Sequence, residues 1–400
     1  MTTVCVKFKS PSKDGGQGTV YYQITRNRQR RCIKTTVRCF HDEWDASRGG
    51  IMKKDNGSPD IRQIQIDSDV KMLCGIVDSF EKERRGYTSD DVLNTFCKRR
   101  KTICVLPFMK EEVLNLQWNQ HWRTARNYKR TQESFSAFLN GLDITFPAMT
   151  EELVGSYGRY LVKRGLVPNS ISFYMRVLRA VYNKAVKRKL VEQPRPFANV
   201  YTGIAKTDKR AVDFNVILDL NRLELDTSHS LALTRDLFLF SFLTRGMSFV
   251  DMAYLRKSAV SSGEIRYVRQ KTKRRLLVRV NRNIESILLR YDNNNTPYVF
   301  PLLKSEDPQQ AYHEFQTQLT LYNRRLKILS RMMGLPKGLT SYTARHSWAT
   351  TAYRMGIPLP IISAGMGHSK EETTRIYLDS LENWKIDNAN DEIAKQLSSI

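Results

Sequence analysis

Four hundred residues with 41% hydrophobic side chains and 17 phenylalanines suffice for two or three separate cores, which excludes a short disulfide-stapled chain and a low-complexity one. The 65 Lys and Arg against 40 Asp and Glu leave a formal charge of +25. That charge is spread in short basic runs rather than one tail, so the natural partner is a polyanion held over much of the surface, nucleic acid before all.

In chain order, residues 3–39 alternate in the manner of strands. VCVKFKS, GTVYYQITRN and RCIKTTVRCF, separated by the Gly15-Gly16 turn and a basic turn around Arg28, predict a small three-stranded sheet. Its basic side chains, Lys7, Lys9, Arg26, Arg28, Arg30, Arg31, Lys34 and Arg38, are expected on one exposed face that seeks phosphates or reads a groove, the alternative being a merely solvated face. The Gly, Ser, Asp and Lys of 44–59 read as a surface excursion. A helix follows over 60–86, closed by Gly86, and a shorter one near 90–100 runs into KRRK, which has the composition of a linker.

The stretch from 106 to 206 reads as entirely helical. A helix over 124–142 sets Tyr128, Phe135, Phe138, Leu139 and Leu142 on one stripe and leaves Arg123, Arg126, Lys129 and Arg130 on the remaining surface. A second helix starts after Thr150, and a third follows Pro168 with Asn169 or Ser170 as cap and ends in KAVKRK, which contains Lys187 and Arg188. So much base at helix ends suits a grip on backbone phosphates, with a charged scaffold as the bland alternative. Pro194, Pro196 and the polar residues up to Arg210 form a hinge. Beyond it, the helix over 231–243 is apolar nearly all round and is expected at the heart of the last unit. It is too short to cross a bilayer and contains Arg235 and Asp236. EIRYVRQKTK and RLLVRVN predict a hairpin over 264–281, and a helix follows at 284–289. The six cysteines, Cys5, Cys32, Cys39, Cys74, Cys97 and Cys104, show no zinc spacing and are read as reduced thiols mostly used in packing. With no leader-like N-terminus, the chain is expected to be soluble and cytoplasmic.

The chemistry concentrates in residues 340–377, TSYTARHSWATTAYRMGIPLPIISAGMGHSKEETTRIY. Thr340 or Ser341 can cap a helix carrying Arg345, His346 and Trp348, which Gly356 stops before a Pro358 and Pro360 turn. Ser369 with Glu372 offers a capping box for a second helix, which places Tyr377 about two turns in. A tyrosine hydroxyl can act as a covalent nucleophile, and Arg and His supply donors to a phosphate in the transition state.

The combination ARHSxAT, then GMGH, then a tyrosine nine residues after that histidine resembles the C-terminal signature of the tyrosine recombinase (phage integrase) family. The wording SYTARHSWAT is similar to integrases of Bacteroides-type mobile elements. The resemblance implies a multidomain, mainly α fold. It consists of an N-terminal domain over 1–104 that binds arm-type DNA sites, with a three-stranded sheet plus helices. A helical core-binding clamp spans 105–206, and a mostly α catalytic domain with a small β-hairpin sheet and a C-terminal tail spans 207–400. On this reading Arg26, Arg28, Lys34, Arg126, Lys129, Arg130, Lys187 and Arg188 contact DNA.

It implies a catalytic set as well. Tyr377 matches the nucleophile, Arg345 the second arginine, His368 the later histidine and Lys271 the hairpin lysine, whose work is to protonate the leaving 5′ oxygen. Two positions depart from the pattern: Ser248 stands where the first arginine is expected, although Asp251 keeps its acidic partner, and Tyr342 stands for the first histidine. Arg269, two residues before Lys271 and aimed at the same face if both lie on one strand, is the first choice to replace the missing arginine, with Arg245 second. His346 is expected to act at one remove from the phosphate, and Trp348 in the core.

The implied function is a site-specific recombinase that cuts and rejoins DNA through a 3′-phosphotyrosyl link and a Holliday junction, for integration, excision or inversion of a mobile element. Four protomers act on core and arm-type sites, a DNA-bending accessory protein is a further expected partner, and the setting is the bacterial nucleoid. No nucleotide motif or clustered Asp/Glu/His occurs, so neither cofactor nor metal is expected. A type IB topoisomerase-like relaxing enzyme and a DNA-binding regulator without catalysis stay open as alternatives.

Overall fold

The computed structural model describes residues 2–11, 15–52, 60–83, 86–192, 195–205, 211–226, 230–378, 390–391 and 393–395. It divides into two compact units, Met1–Lys206 and Thr207–Ile400.

The first unit begins with an antiparallel sheet of β1 (Thr3–Lys9), β2 (Gly18–Arg26) and β3 (Gln29–Cys39) in that order. The period of two decides its faces: Val20, Tyr22, Ile24, Val37 and Cys39 are buried, while Lys7 stands opposite Tyr21, itself opposite Lys34, on the outer face. The same register corrects the expectation that all the basic side chains share that outer face. Arg26 has the parity of Tyr22 and Ile24, so its guanidinium lies 3.5 Å from the centre of the Tyr87 ring and donates to Thr2 Oγ1 at 2.8 Å. Arg31 stands opposite Ile24 and binds Asp90. Arg28 sits exposed in the turn with positive φ, and Lys34 is exposed on the outer face.

The residues after the sheet are less superficial than their composition suggests. Trp44, in the short β4 (Trp44–Asp45) paired with β5 (Gly50–Ile51), stacks on Phe8 at 5.5 Å, and Ile51 is buried; 53–59 lie outside the described residues. Two helices then cover the sheet. α1 (Ile61–Lys82) is capped by Asp60, and α2 (Ser89–Ile103) opens with a Thr88/Asp91 capping box. KRRK belongs to α2 and is not a linker, because its Arg100 is needed inside: it reaches the buried Asp69 at 3.1 Å and the Asp143 carbonyl at 3.0 Å. Asp69 also accepts from Tyr22 Oη at 2.9 Å, so sheet, α1 and α2 meet at one charge that burial would penalise if left unpaired.

The bundle consists of α3 (Val105–Trp118), α4 (Trp122–Phe138), α5 (Glu151–Lys163) and α6 (Pro168–Lys187), packed around Phe135, Phe146, Tyr157, Leu178 and Tyr182. α4 stops at Phe138, before the positive-φ pair Asn140 and Gly141, and α6 starts with Pro168 in its first turn and Val167 as cap rather than Asn169 or Ser170. Arg188 is committed to the bundle and not to an outside anion. With Lys184 it holds the buried Glu112, and it also pairs with Glu111 at 2.9 Å while lying 4.7 Å over the Phe108 ring. Arg126, Lys129, Arg130 and Lys187 are exposed. The thiols are free, yet only Cys39 and Cys104 are packed; Cys5, Cys32, Cys74 and Cys97 are exposed, against expectation.

The second unit is built on α8 (Ser230–Leu243), buried on every side with Phe238 and Phe240 at its centre. Its buried Arg235–Asp236 pair is completed by Arg290 and by Tyr291 Oη, 2.8 Å from Asp236, so both charges buried in this helix have partners. Around it stand α7 (Phe214–Arg222), α9 (Phe249–Ala253), α10 (Arg282–Arg290) and the long α11 (Pro308–Met332), which Asp307 caps and Phe315, Tyr322, Leu326 and Leu329 anchor. A small antiparallel sheet of β6 (Val260–Ser261), β7 (Glu264–Val268) and β8 (Arg275–Arg279) forms one edge. The last elements are α12 (Thr343–Arg354), α13 (Leu359–Gly365) and α14 (Glu371–Leu378). Among the described residues, no helix is long and apolar enough to cross a membrane.

Candidate active site

Arg345 and His368, both singled out in 340–377, come together where α12, the loop after α13, and the turn of the β7–β8 hairpin meet. Arg345 is in the first turn of α12 and only 3% exposed. Its Nη1 donates to the Gly246 carbonyl at 2.6 Å, and its Nη2 to the Met366 carbonyl at 2.6 Å. Nη2 also lies 2.9 Å from His368 Nε2. This close approach explains Gly246: it has φ +76°, and a Cβ there would lie 2.8 Å from Arg345 Cα.

His368 is 4% exposed and is fixed from two sides, with Thr374 Oγ1 of α14 2.8 Å from its Nδ1. Burial first, and then the charges of Arg345, Arg269 and Lys271, push its pKa down to about 3, so the ring is neutral at neutral pH. A guanidinium can only donate, so Nε2 accepts here and is not the phosphate donor that the sequence suggested.

The GMGH loop is held by cations from distant parts of the chain. The Gly367 carbonyl accepts from Arg269 Nη1 at 2.7 Å and from Thr272 Oγ1 at 3.2 Å, and the His368 carbonyl accepts from Arg274. Gly367 itself has φ +66°, and a Cβ there would lie 2.8 Å from Leu276 Cδ1. Arg269 is thus 5% exposed and part of the site, but not by the expected route. β7 ends at Val268, so Arg269 and Lys271 do not share a strand face; Lys271 lies in the connecting turn and is exposed.

Ser248 stands apart from this cluster. It caps the short α9 and donates to Asp251 Oδ2 at 2.6 Å, while Asp251 Oδ1 accepts from the Gln270 amide at 2.8 Å. Asp251 therefore props the hairpin turn that carries Lys271. Arg245, with φ +62°, lies in the turn after α8 rather than in a helix with Ser248, and its Cδ comes 3.5 Å from where a Gly365 Cβ would stand. Tyr342 is the N-cap of α12 in place of Thr340 or Ser341, and is 42% exposed. Pro358 is the cap of α13 and not part of a simple turn. Trp348 packs between two apolar clusters as expected of a core residue, and His346 is half-buried beside Arg345. Tyr377 belongs to α14, which begins at Glu371; the tyrosine side chain lies outside the described residues, as do 381–389 and 396–400 of the tail.

Sequence reasoning missed Thr272, Arg274 and Thr374. Thr374 had a local signal, its place one turn before Tyr377; the other two act through carbonyls nearly a hundred residues away and had none.

Residues 104–200 match the profile of the phage integrase SAM-like domain, and residues 220–383 that of the phage integrase family. Over 78 residues the chain is 33% identical to tyrosine recombinase XerC of Rickettsia typhi, a stretch that covers 20% of this chain and 26% of that relative, or about a quarter of its length. The fold is similar to that of the Tn1549 transposon integrase in complex with a circular intermediate DNA, with 15% identity over 69% of this chain and 95% of that one and a TM-score of 0.52. It is similar also to a lambda integrase dimer bound to a COC′ core site, with 11% identity over 92% and 93% of the two chains and a TM-score of 0.52. A lambda integrase tetramer bound to a Holliday junction matches at 11% identity over 89% and 92%, again with a TM-score of 0.52.

Proposed function

Because this chain belongs to the phage integrase family of tyrosine recombinases, we propose that it is a site-specific DNA recombinase that cuts and rejoins DNA through a covalent tyrosyl intermediate. The observation that carries this reading is the buried Arg345 hydrogen-bonded to His368 with Arg269 on the same loop, a concentration of positive charge beside the helix that contains Tyr377. Phosphoryl transfer needs little from a protein beyond position and charge compensation, and this cluster supplies both.

In the proposed reaction the Tyr377 phenol gives up its proton to solvent as its oxygen attacks the scissile phosphorus, the bond to the 5′ oxygen breaks, and a 3′-phosphotyrosyl bond forms. Lys271, exposed at the tip of its turn and propped through Gln270 and Asp251, gives the leaving 5′ oxygen its proton. Arg345 and Arg269 offset the charge that grows on the phosphate, Arg269 standing in for the arginine missing at Ser248. The 5′ hydroxyl of a partner strand then reverses the step, so the energy of the broken phosphodiester is kept and no nucleotide is consumed. Exchange of one strand pair and then the other passes through a Holliday junction and calls for four protomers on two duplexes.

The domain division at 1–104, 105–206 and 207–400 gives the parts their roles: arm-type site binding, core-site clamp, catalysis. Lys34 and Arg28 serve the first, and Arg126, Lys129, Arg130 and Lys187 the second, in the cytoplasm of a bacterium that carries a mobile element of the Bacteroides type. A DNA-bending accessory protein belongs to the same proposal. The test is a single-turnover reaction with a pool of randomised nicked duplexes. A protein-DNA adduct that survives denaturation, and is lost in Tyr377→Phe, supports the reading; tight binding with no adduct assigns the chain to regulation instead.

A further inference from the structure

The two nitrogens of the His368 ring face different elements. Nε2 lies 2.9 Å from Arg345 Nη2 on α12, and Nδ1 lies 2.8 Å from Thr374 Oγ1 on α14. Since a guanidinium nitrogen only donates, a neutral ring accepts at Nε2 and carries its proton at Nδ1, which donates to Thr374. The charged groups facing the ring are Arg345 from α12 and Arg269 and Lys271 from the hairpin. From α14 the facing group is the Thr374 hydroxyl, which can accept a proton that the cations can only repel.

Thr374 is fully buried. Four residues on, Leu378 is buried too, among Ala349, Ala352, Ile362 and Met366. α14 is therefore seated by one apolar and one polar anchor a turn apart, and Tyr377 lies in the chain between them. The polar anchor is spent on His368.

We propose that Thr374 is a positioning residue which couples the seating of the tyrosine-bearing helix to the orientation of the His368 ring, so that Nε2 keeps its lone pair toward Arg345 only while α14 is docked. Without the Thr374 hydroxyl the buried Nδ1–H loses its acceptor, and since the proton cannot pass to Nε2 while that nitrogen faces the donor-only Arg345, the ring itself turns away from Arg345. The helix that bears Tyr377 and the contact between His368 and Arg345 are thereby set by one docking event. The inference rests on the recombinase reading, yet the tautomer can be measured without any turnover.

The experiment compares the full-length protein with Thr374→Val, which keeps the shape and removes the hydroxyl, and Thr374→Ser, which restores it. Nitrogen-15 resonances of the His368 imidazole are expected to report protonation at Nδ1 in the wild type and in Thr374→Ser, and a mixture of both tautomers in Thr374→Val, where the ring turned away from Arg345 is no longer held to one. Adduct formation on nicked duplex is expected to slow about tenfold to a hundredfold in Thr374→Val, the loss of one hydrogen bond to a buried group, with DNA affinity unchanged and Thr374→Ser near the wild-type rate. If Thr374→Val unfolds, Thr374→Cys, which has a weak acceptor of serine's size, replaces it in both assays with the same expected outcome. A valine or cysteine variant with the wild-type tautomer and rate overturns the proposal. A wild-type protein that forms no adduct sinks the recombinase reading instead, and the imidazole spectra then decide the role of Thr374 alone.

Discussion

Replacing Gly246 by alanine tests the packing that holds Arg345. The residue sits at φ +76°, and an added Cβ would lie 2.7 Å from Arg345 Cγ and 2.8 Å from its Cα. The first of these is a flexible atom, but the second is backbone, so α12 itself must shift. The left-handed conformation costs alanine about 1–2 kcal/mol, and overpacking a filled site adds about 1–3 kcal/mol. Gly334 separates the two contributions, because it has φ +65° and no atom lies within 4 Å of a Cβ built there. Gly334→Ala is therefore expected to lose only the first amount. Hydrogen exchange of α8 and α12 amides in the full-length protein measures both, and keeps the second unit apart from the first, whose unfolding need not be concerted with it. Gly246→Ala is expected to lose about 2–5 kcal/mol of protection, and to slow DNA cleavage further because Arg345 loses its place against the Gly246 carbonyl. Equal losses in the two alanine variants would refute the reasoning.

Other expected outcomes follow from the same contacts. Arg269→Ala should lower single-turnover cleavage by about a hundredfold to a thousandfold at unchanged DNA affinity, as loss of one preorganised donor does; Arg245→Ala should fall short of that, and if alanine at both leaves cleavage unchanged the replacement of the missing arginine lies elsewhere. His368, with its pKa pushed down to about 3 by burial and three cations, binds a proton more readily unfolded than folded. Stability is therefore fully present above the unfolded value of about 6.5 and falls as pH drops below it, by up to about 1.4 kcal/mol per pH unit. Hydrogen exchange of α8 and α12 amides at pH 7 and pH 5, corrected for intrinsic exchange rates, should show His368→Gln losing about 2 kcal/mol less than the wild type. On the sheet, Lys34→Ala should weaken DNA binding and reduce its salt dependence, whereas Arg26→Ala should lower stability first, since that side chain lies over Tyr87.

Much of this molecule was written locally. The strand alternation of the N-terminal sheet and the apolar α8 depend on residues a few positions apart, and Arg345, His368 and Tyr377 all fall within the single stretch 340–377. Some misreadings ignored signals that were present. Arg26 shares the parity of Val20, Tyr22 and Ile24, so its inward placement was legible. Asp307 before Pro308, with Ala311, Phe315, Tyr322, Leu326 and Leu329 beyond, announces α11 as clearly as any helix predicted. Other features had no local trace. That Arg100 belongs to a buried pair with Asp69, or Arg188 to Glu112, depends on which acid the fold brings near. That the hairpin strands end early, leaving Arg269 and Lys271 in a turn, depends on Asp251 binding the Gln270 amide. Charge alone does not tell a phosphate-seeking arginine from a structural one, because each satisfies a carboxylate as readily as an anion from outside.

The central claim is that Tyr377 becomes the DNA-linked atom of this protein, and mass spectrometry of the digested adduct tests it most directly. The account predicts a nucleotide joined through its 3′ phosphate to the peptide containing Tyr377, with a free 5′ hydroxyl on the released strand. A link to any other residue, or a released strand that keeps the phosphate on its 5′ end, would contradict it.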